Sequence, residues 1–233
     1  MKSLSSIFNI KKGDIVSIVG SGGKTTLMFR LANELKDKYK VLVTTSTKIY
    51  IPEGYETCYI NNFDKAKNGI TVIAKDLNIE NNKLIGINDD DLDILMKYFD
   101  IILIEADGSR GLPLKGWKEH EPVILKASNK TIGIIPANIV NKKIIADFVY
   151  NYDEFNILTD YSNNLDSEAI RKICTRKNGL FKNSERDLYL FLNQADTEED
   201  IKNSRGLSAY LEEYSHNFKI CCGSLKKEEY YEC

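Results

Sequence analysis

A glycine loop joins a short apolar run to a stretch of helical periodicity near the start of the chain, and few folds accommodate that order. Asp14–Gly20 (DIVSIVG) is an apolar run that stops at glycine, which is typical of a buried strand. From Lys24 to Asp37 the apolar residues recur at helical spacing and leave one face polar. A further apolar run at Val41–Thr45 predicts a second strand, and the helical crossover predicts that the two strands are parallel.

The loop has the composition of an anion-binding site. The N-terminus of a helix presents N–H groups without helical partners and a partial positive charge, and glycine lets the backbone curl around phosphate oxygens. Lys24 can place its ammonium group against the outer phosphates, and Thr25 can offer its hydroxyl to Mg²⁺. We therefore predict that Mg²⁺ with ATP or GTP binds at Gly20, Ser21, Gly22, Gly23, Lys24, Thr25 and Thr26.

The loop departs from the full phosphate-loop pattern at its first position. That pattern has glycine five residues before Gly23, where this chain has Ile18. The turn starts instead at Gly20, and the resulting short form, G-x-x-G-K-T-T, resembles the loop of the Mur-type amide ligases.

Two acids follow another predicted strand. Asp100–Ile104 (DIILI) shows no alternation, as expected for a strand covered on both faces, and Glu105 and Asp107 come directly after it. A carboxylate at such a strand end can hold Mg²⁺ directly or through water. Alternation places both acids on the same side of an extended strand. We predict Asp107 as the metal-binding group and keep Glu105 as the alternative.

A third polar segment, Asn193-Gln194-Ala195-Asp196, follows a predicted strand at Leu188–Leu192. It is similar to the N-K-x-D motif of GTPases, in which the aspartate accepts hydrogen bonds from guanine, with glutamine in place of lysine. We predict that Asn193 and Asp196 contact the nucleotide. The alternative is a polar strand end followed by a helix capped at Thr197, so the choice between ATP and GTP stays open.

The rest of the chain completes an α/β pattern. Further strands are predicted at Thr131–Ile135 and Phe218–Cys222, with Ile70–Ala74 and Leu84–Ile87 forming a hairpin or a sheet edge, and helices are predicted at Asp90–Phe99 and Ser167–Cys174. The pattern weakens between residues 138 and 179. Because no repeat or Pro- or Gly-rich linker interrupts the sequence, we predict that residues 1–233 form a single P-loop NTPase-like domain with three layers and a mostly parallel central sheet.

Composition narrows the environment and the partners. The net charge is −2 and basic residues alternate with acids, so we expect no nucleic-acid partner. No apolar run approaches the roughly 20 residues that cross a bilayer, so we expect no membrane association. The five scattered cysteines, none in C-x-x-C spacing, argue against a zinc site or a disulfide framework and predict a cytoplasmic protein.

Two segments at predicted strand ends, residues 44–48 and 108–122, contain candidate reactive groups. Open α/β sheets bind ligands at the carboxyl ends of their strands, where these segments lie. Arg110 can stabilise charge on a transferring phosphoryl group, and His120 can carry a proton near neutral pH. We predict catalytic roles for Lys24, Asp107, Arg110 and His120. Substrate-binding roles are predicted for Thr45, Ser46, Thr47, Lys48, Lys115 and Glu121.

Several segments together resemble the YqeC-type family. In chain order they are VGSGGKTTLM, Val43–Lys48 (VTTSTK), Ile104–Ile124 (IEADGSRGLPLKGWKEHEPVI), GLF and LNQAD. They occur in the order found in the family, and the resemblance spans Ile7–Leu225. Members are described as accessory proteins of selenium-dependent molybdenum hydroxylases. The resemblance implies a role in maturing such an enzyme, with the hydroxylase or its molybdopterin cofactor as a partner.

Four functions are compatible with these features. The first is hydrolysis of a nucleoside triphosphate or phosphoryl transfer, with Lys24, Thr25 and Asp107 around one Mg²⁺–nucleotide. The second is a nucleotide-dependent switch or chaperone, which the LNQAD segment favours. The third is an ATP-dependent ligase of the Mur type, and the fourth is a module that binds the phosphate of a cofactor without catalysis.

Overall fold

The computed structural model describes residues 2–214 and 217–232. The strands are β1 (Ile15–Gly20), β2 (Lys40–Thr45), β3 (Lys48–Tyr50), β4 (Thr57–Tyr59), β5 (Gly69–Ala74), β6 (Asp76–Asn78), β7 (Lys83–Ile85), β8 (Ile101–Glu105), β9 (Leu114–Lys115), β10 (Lys130–Pro136), β11 (Val149–Tyr150), β12 (Leu188–Asn193), β13 (Phe218–Ser224) and β14 (Glu229–Glu232). The α-helices are α1 (Leu4–Ile7), α2 (Lys24–Leu35), α3 (Asp89–Leu95), α4 (Tyr152–Thr159), α5 (Ser167–Thr175) and α6 (Glu198–Tyr214). Short 3₁₀ turns lie at Ile60–Asn62, Ala137–Ile139 and Ala146–Phe148.

The central sheet has nine strands in the order β14-β13-β12-β10-β1-β8-β2-β5-β4. Every neighbouring pair is parallel except β13 and β14 at one edge. Parallel strands present their carboxyl ends at one edge of the sheet. The glycine loop at the end of β1, the acids at the end of β8, the hydroxyl-rich segment at the end of β2 and the polar segment at the end of β12 therefore meet there.

Side chains of β1 alternate between two cores, which explains the three layers. Val16 and Ile18 pack in one apolar cluster with α1 and α2. Val19 packs on the opposite face in a cluster with α4, α5 and α6, and Ile15 packs there with α3. Because both faces are covered, β1 is buried throughout and its sequence is almost continuously apolar. The predicted α/β class with a mostly parallel sheet is confirmed.

A three-stranded antiparallel sheet, β3-β7-β6, lies outside the central sheet. The backbone of Gly86, after β7, approaches the end of β2 so closely that a Cβ atom would lie 2.4 Å from the Ser46 carbonyl carbon. The amide of Gly86 also donates to the carbonyl of Thr47 over 2.6 Å. Ile70–Ala74 thus joins the central sheet beside β2, whereas the Leu84–Ile87 run contributes to this small sheet, and the predicted hairpin between them does not form.

The segment with weak sequence periodicity contains short elements. Helix α4 begins after Asn151, whose backbone is left-handed at φ 55°, and ends after eight residues. Helix α6 begins with the predicted cap, since the Asp200 amide donates to the Thr197 hydroxyl over 3.1 Å and the Thr197 amide donates to Asp200 over 3.0 Å. In the part of the chain that the structure describes, every helix is too short or too polar to cross a lipid bilayer.

Candidate nucleotide-binding site

The loop between β1 and α2 requires glycine for steric reasons. Gly20 and Gly22 have φ values of 96° and 84°, in the region that favours glycine. A Cβ atom would lie 2.3 Å from the Ile134 carbonyl oxygen at Gly20 and 2.3 Å from Pro136 Cγ at Gly22. The loop therefore packs its backbone directly against the neighbouring strand β10, and this packing fixes the course of the loop.

The N-terminus of α2 has the features of an anion site. Gly23 precedes the helix, no side chain caps it, and no acid lies in its first turn. The helix then runs for 12 residues, so its dipole is fully developed at this end. Thr25 and Thr26 in the first turn are exposed, and both line a cavity in front of the loop.

Asn193 braces the loop from the end of β12. This side chain is buried, and its amide group donates to the Gly22 carbonyl over 2.7 Å. Its carbonyl oxygen accepts from the Leu225 amide over 3.1 Å. Asp196 lies further away, where it accepts a hydrogen bond from the Ser224 hydroxyl. Of the polar residues in this segment, Asn193 and Gln194 thus reach the phosphate loop, since Gln194 Nε2 lies 3.5 Å from the Gly22 carbonyl, whereas Asp196 is bound to the end of β13.

Glu105, at the end of β8, lies directly opposite the first turn of α2. The Thr25 hydroxyl donates to Glu105 Oε2 over 2.7 Å, and Lys24 Nζ lies 3.8 Å from Glu105 Oε1. Burial raises the pKa of the Glu105 carboxyl, and the neighbouring Lys24 ammonium opposes that shift. Glu105 also lines the cavity. A hydroxyl and a carboxylate in contact beside the loop lysine form a pair that can hold Mg²⁺ together with phosphate oxygens and water.

Asp107 occupies a different place, beneath the loop. Its side chain is fully buried and accepts from the Gly20 amide over 3.0 and 3.1 Å and from the Trp117 indole over 2.8 Å. The ammonium groups of Lys24 and Lys115 each lie 3.3 Å from it. Asp107 is not among the residues that line the cavity. The geometry therefore favours Glu105 over Asp107 as the metal-binding carboxylate and gives Asp107 the position of a clamp on the phosphate loop.

Lys115 continues this buried chain of charges. Its ammonium donates to the Gly108 carbonyl over 2.7 Å and lies 3.4 Å from Glu121 Oε1. The other oxygen of Glu121 accepts from Asn151 over 3.0 Å. Lys115 is fully buried behind the cavity wall, whereas Glu121 reaches that wall. Of these two residues with predicted substrate roles, Glu121 is the one placed to touch a ligand.

The cavity has a volume of about 820 Å³ and extends from the phosphate loop towards the small sheet. Thr47, Lys48 and Arg110 line it, as the predicted substrate and catalytic roles require. Thr45 and Ser46 point elsewhere, since their hydroxyls donate to the carbonyls of Glu105 over 2.8 Å and Val123 over 2.6 Å.

His120 is exposed and lies outside the cavity lining, so the structure does not bring it to the other predicted catalytic groups.

Sequence reasoning missed several residues at or next to this cavity. Tyr50, Lys83 and Tyr150 line it, and Trp117 supports Asp107. Trp117 stands within the distinctive segment after β8, which was a usable signal. Tyr50 and Tyr150 come from short strands that no periodicity marks, and Lys83 directly precedes the predicted strand Leu84–Ile87.

Within the described residues, no group of three or more His, Cys, Asp or Glu side chains is arranged to hold a metal ion.

These features define a class: an α/β protein of P-loop NTPase-like architecture, with a glycine loop at the central strand of a mostly parallel sheet. Residues 16–153 match the family described as YqeC protein, and the chain belongs to that family. It is 33% identical over 159 residues to a protein of Escherichia coli (strain K12) described as uncharacterized protein YqeC. The alignment covers 64% of this chain and 62% of that relative, so the chain spans less than two thirds of the relative's length.

Proposed function

We propose that this protein binds a Mg²⁺–nucleoside triphosphate at the phosphate loop and hydrolyses it or transfers its terminal phosphoryl group. The observation that carries the proposal is the contact of 2.7 Å between the Thr25 hydroxyl and Glu105, with Lys24 Nζ 3.8 Å from the same carboxylate. A hydroxyl, a carboxylate and an ammonium group therefore converge at the open N-terminus of α2.

Each of these groups has a physical role in the proposal. The loop amides and the α2 dipole bind phosphate oxygens, and Lys24 turns from the Gly20 carbonyl, 2.6 Å away, to the outer phosphates. Thr25 and Glu105 hold Mg²⁺, which neutralises charge that develops on the phosphates. Arg110 lines the same cavity and does not belong to the buried ion pairs of Asp107 and Lys115, so it can stabilise the transferring group.

The biological role that we propose is maturation of a selenium-dependent molybdenum hydroxylase in the cytoplasm. The chain belongs to the YqeC family. The resemblance to that family, which includes the segment after β8, implies this role and supports the proposal. The proposed partner is the hydroxylase or its molybdopterin cofactor. In this proposal the nucleotide reaction drives the step in which the cofactor is delivered to the hydroxylase.

Calorimetry with purified protein, Mg²⁺ and ATP, GTP or CTP tests the nucleotide site. We expect one nucleotide to bind, and Lys24→Ala to abolish binding because the loop then lacks its ammonium group. Lys67→Ala is the matched control, since Lys67 is exposed and does not line the cavity. Hydrolysis is followed in the same samples, and Thr25→Ala should lose Mg²⁺-dependent hydrolysis. If the wild-type protein binds none of the three nucleotides, the proposal is overturned.

A further inference from the structure

The part of the cavity furthest from the phosphate loop has a face built by the small sheet. Lys48 and Tyr50 alternate with buried Ile49 on β3, so both project from the same face. Lys83 on β7 stands directly opposite Tyr50, and its ammonium lies 4.3 Å from the centroid of the tyrosine ring. The tyrosine is nevertheless 68% exposed, so one face of its ring remains open to a ligand.

A second cation and aromatic ring line the cavity from separate elements. Arg110, on the loop after β8, has a left-handed backbone at φ 51°. Its guanidinium carbon lies 5.2 Å from the centroid of Tyr150, at the end of β11. The buried Lys115 ammonium lies 5.7 Å from the same ring. Both aromatic rings in the cavity are therefore paired with cations.

The charge of this region favours an anionic ligand. Beyond the phosphate loop and Glu105, the lining has three cations, Lys48, Lys83 and Arg110, and two acids, Glu53 and Glu121. Glu121 is already engaged by Lys115 and Asn151. An exposed tyrosine alone needs no explanation. Cations held over aromatic rings at two places in one cavity offer both charge and a flat stacking surface.

We infer that this region is the binding site of a second ligand, a small molecule with a flat aromatic ring that carries a phosphate or carboxylate group. Its anionic group contacts Lys83 and Lys48 and its ring stacks against Tyr50, while Arg110 lines the same cavity. The role of this ligand as the acceptor or effector of the nucleotide reaction rests on the proposed function. Its binding does not, because none of these side chains belongs to the phosphate loop.

An NMR titration with phenyl phosphate tests the site in protein saturated with Mg²⁺ and a non-hydrolysable nucleotide analogue, so that the phosphate loop is occupied. Cyclohexyl phosphate, which lacks the flat ring, and inorganic phosphate are the comparison probes. We expect phenyl phosphate to bind about tenfold more tightly than either, since ring stacking on an aromatic face is worth roughly a factor of ten.

The variants Tyr50→Ala and Lys83→Ala should each weaken phenyl phosphate about tenfold. Tyr161→Ala is the matched control, because Tyr161 is 70% exposed and lies outside the cavity, and it should bind as the wild type does. Nucleotide affinity should stay unchanged in all three. No binding of phenyl phosphate, equal affinity for cyclohexyl phosphate, or full affinity in Tyr50→Ala and Lys83→Ala would each overturn the inference.

A failure of the proposed function is separable from these outcomes. If wild-type protein binds no nucleotide, the same titration in Lys24→Ala still tests the second site without a competent phosphate loop. If adding Tyr50→Ala to Lys24→Ala weakens phenyl phosphate binding, the second site stands. If binding is unchanged by Tyr50→Ala, the inference is overturned.

Discussion

Replacing Asp107 by asparagine tests whether this carboxylate holds the phosphate loop in place or binds the metal ion. The carboxylate is fully buried and accepts hydrogen bonds from the Gly20 amide and the Trp117 indole, and it lies 3.3 Å from each of the ammonium groups of Lys24 and Lys115. Asparagine has the same shape but lacks the charge. It also turns an NH₂ group towards donors, so at least one of these contacts becomes a donor facing a donor.

The expected loss of stability follows from those contacts. Breaking a buried ion pair by removing one partner costs about 3–5 kcal/mol, because the other charge stays buried. Lys24 and Lys115 keep weaker partners, Glu105 at 3.8 Å and Glu121 at 3.4 Å, so we place Asp107→Asn within that range of about 3–5 kcal/mol and not above it. For a chain of 233 residues this corresponds to a fall in Tm of about 6–20 °C.

The free energy of unfolding can be measured by urea denaturation followed by circular dichroism, without nucleotide or Mg²⁺. Asp93→Asn is the control, since Asp93 is exposed on α3 and should change stability by less than about 0.5 kcal/mol. If Asp107→Asn unfolds like the control and loses only Mg²⁺-dependent nucleotide binding, Asp107 is a metal ligand and the clamp is refuted.

Three further variants probe other parts of the site. Burial raises the pKa of Glu105 above its ordinary 4.5, so in the wild type Mg²⁺–nucleotide binding should weaken as the pH falls through that raised pKa. Glu105→Gln should lack this pH dependence, and identical pH profiles of nucleotide affinity in the two proteins would contradict the role of Glu105. Gly22→Ala places a methyl group 2.3 Å from Pro136 Cγ and should abolish nucleotide binding while the protein stays folded by circular dichroism. Asn193→Ala leaves the Gly22 carbonyl and the Leu225 amide without this partner and should cost about 1–3 kcal/mol in urea denaturation, whereas an unchanged midpoint would exclude the brace.

The fold could be predicted from the sequence because its central strands are covered on both faces. Such strands appear as continuous apolar runs, as in β1, β8 and β12, and the glycine loop fixes the parallel crossover between the first two strands. The edge strand β4 is half-buried and three residues long, so it leaves no comparable pattern. Helix α4, with eight residues after a left-handed Asn151, was missed for the same reason.

The candidate site was predictable where chemistry lies close together in the chain. The phosphate loop and the acids after β8 could be located, but alternation alone could not rank Glu105 above Asp107. The two acids differ in their tertiary contacts, because Trp117 and Lys115 enclose Asp107, whereas Glu105 faces the cavity. The pairing of Tyr50 with Lys83 joins residues of two short strands and depends on how β7 docks against the end of β2.

The contact between Trp117 and Asp107 gives this protein a built-in optical probe. Trp117 is the single tryptophan of the chain, and its indole donates to the carboxylate that lies 3.3 Å from the Lys24 ammonium. A ligand that draws the ammonium away leaves a more negative field beside the indole. Tryptophan emission should therefore report occupancy of the phosphate loop in unlabelled protein, and the signal should vanish in Lys24→Ala. Candidate nucleotides can then be compared in one cuvette.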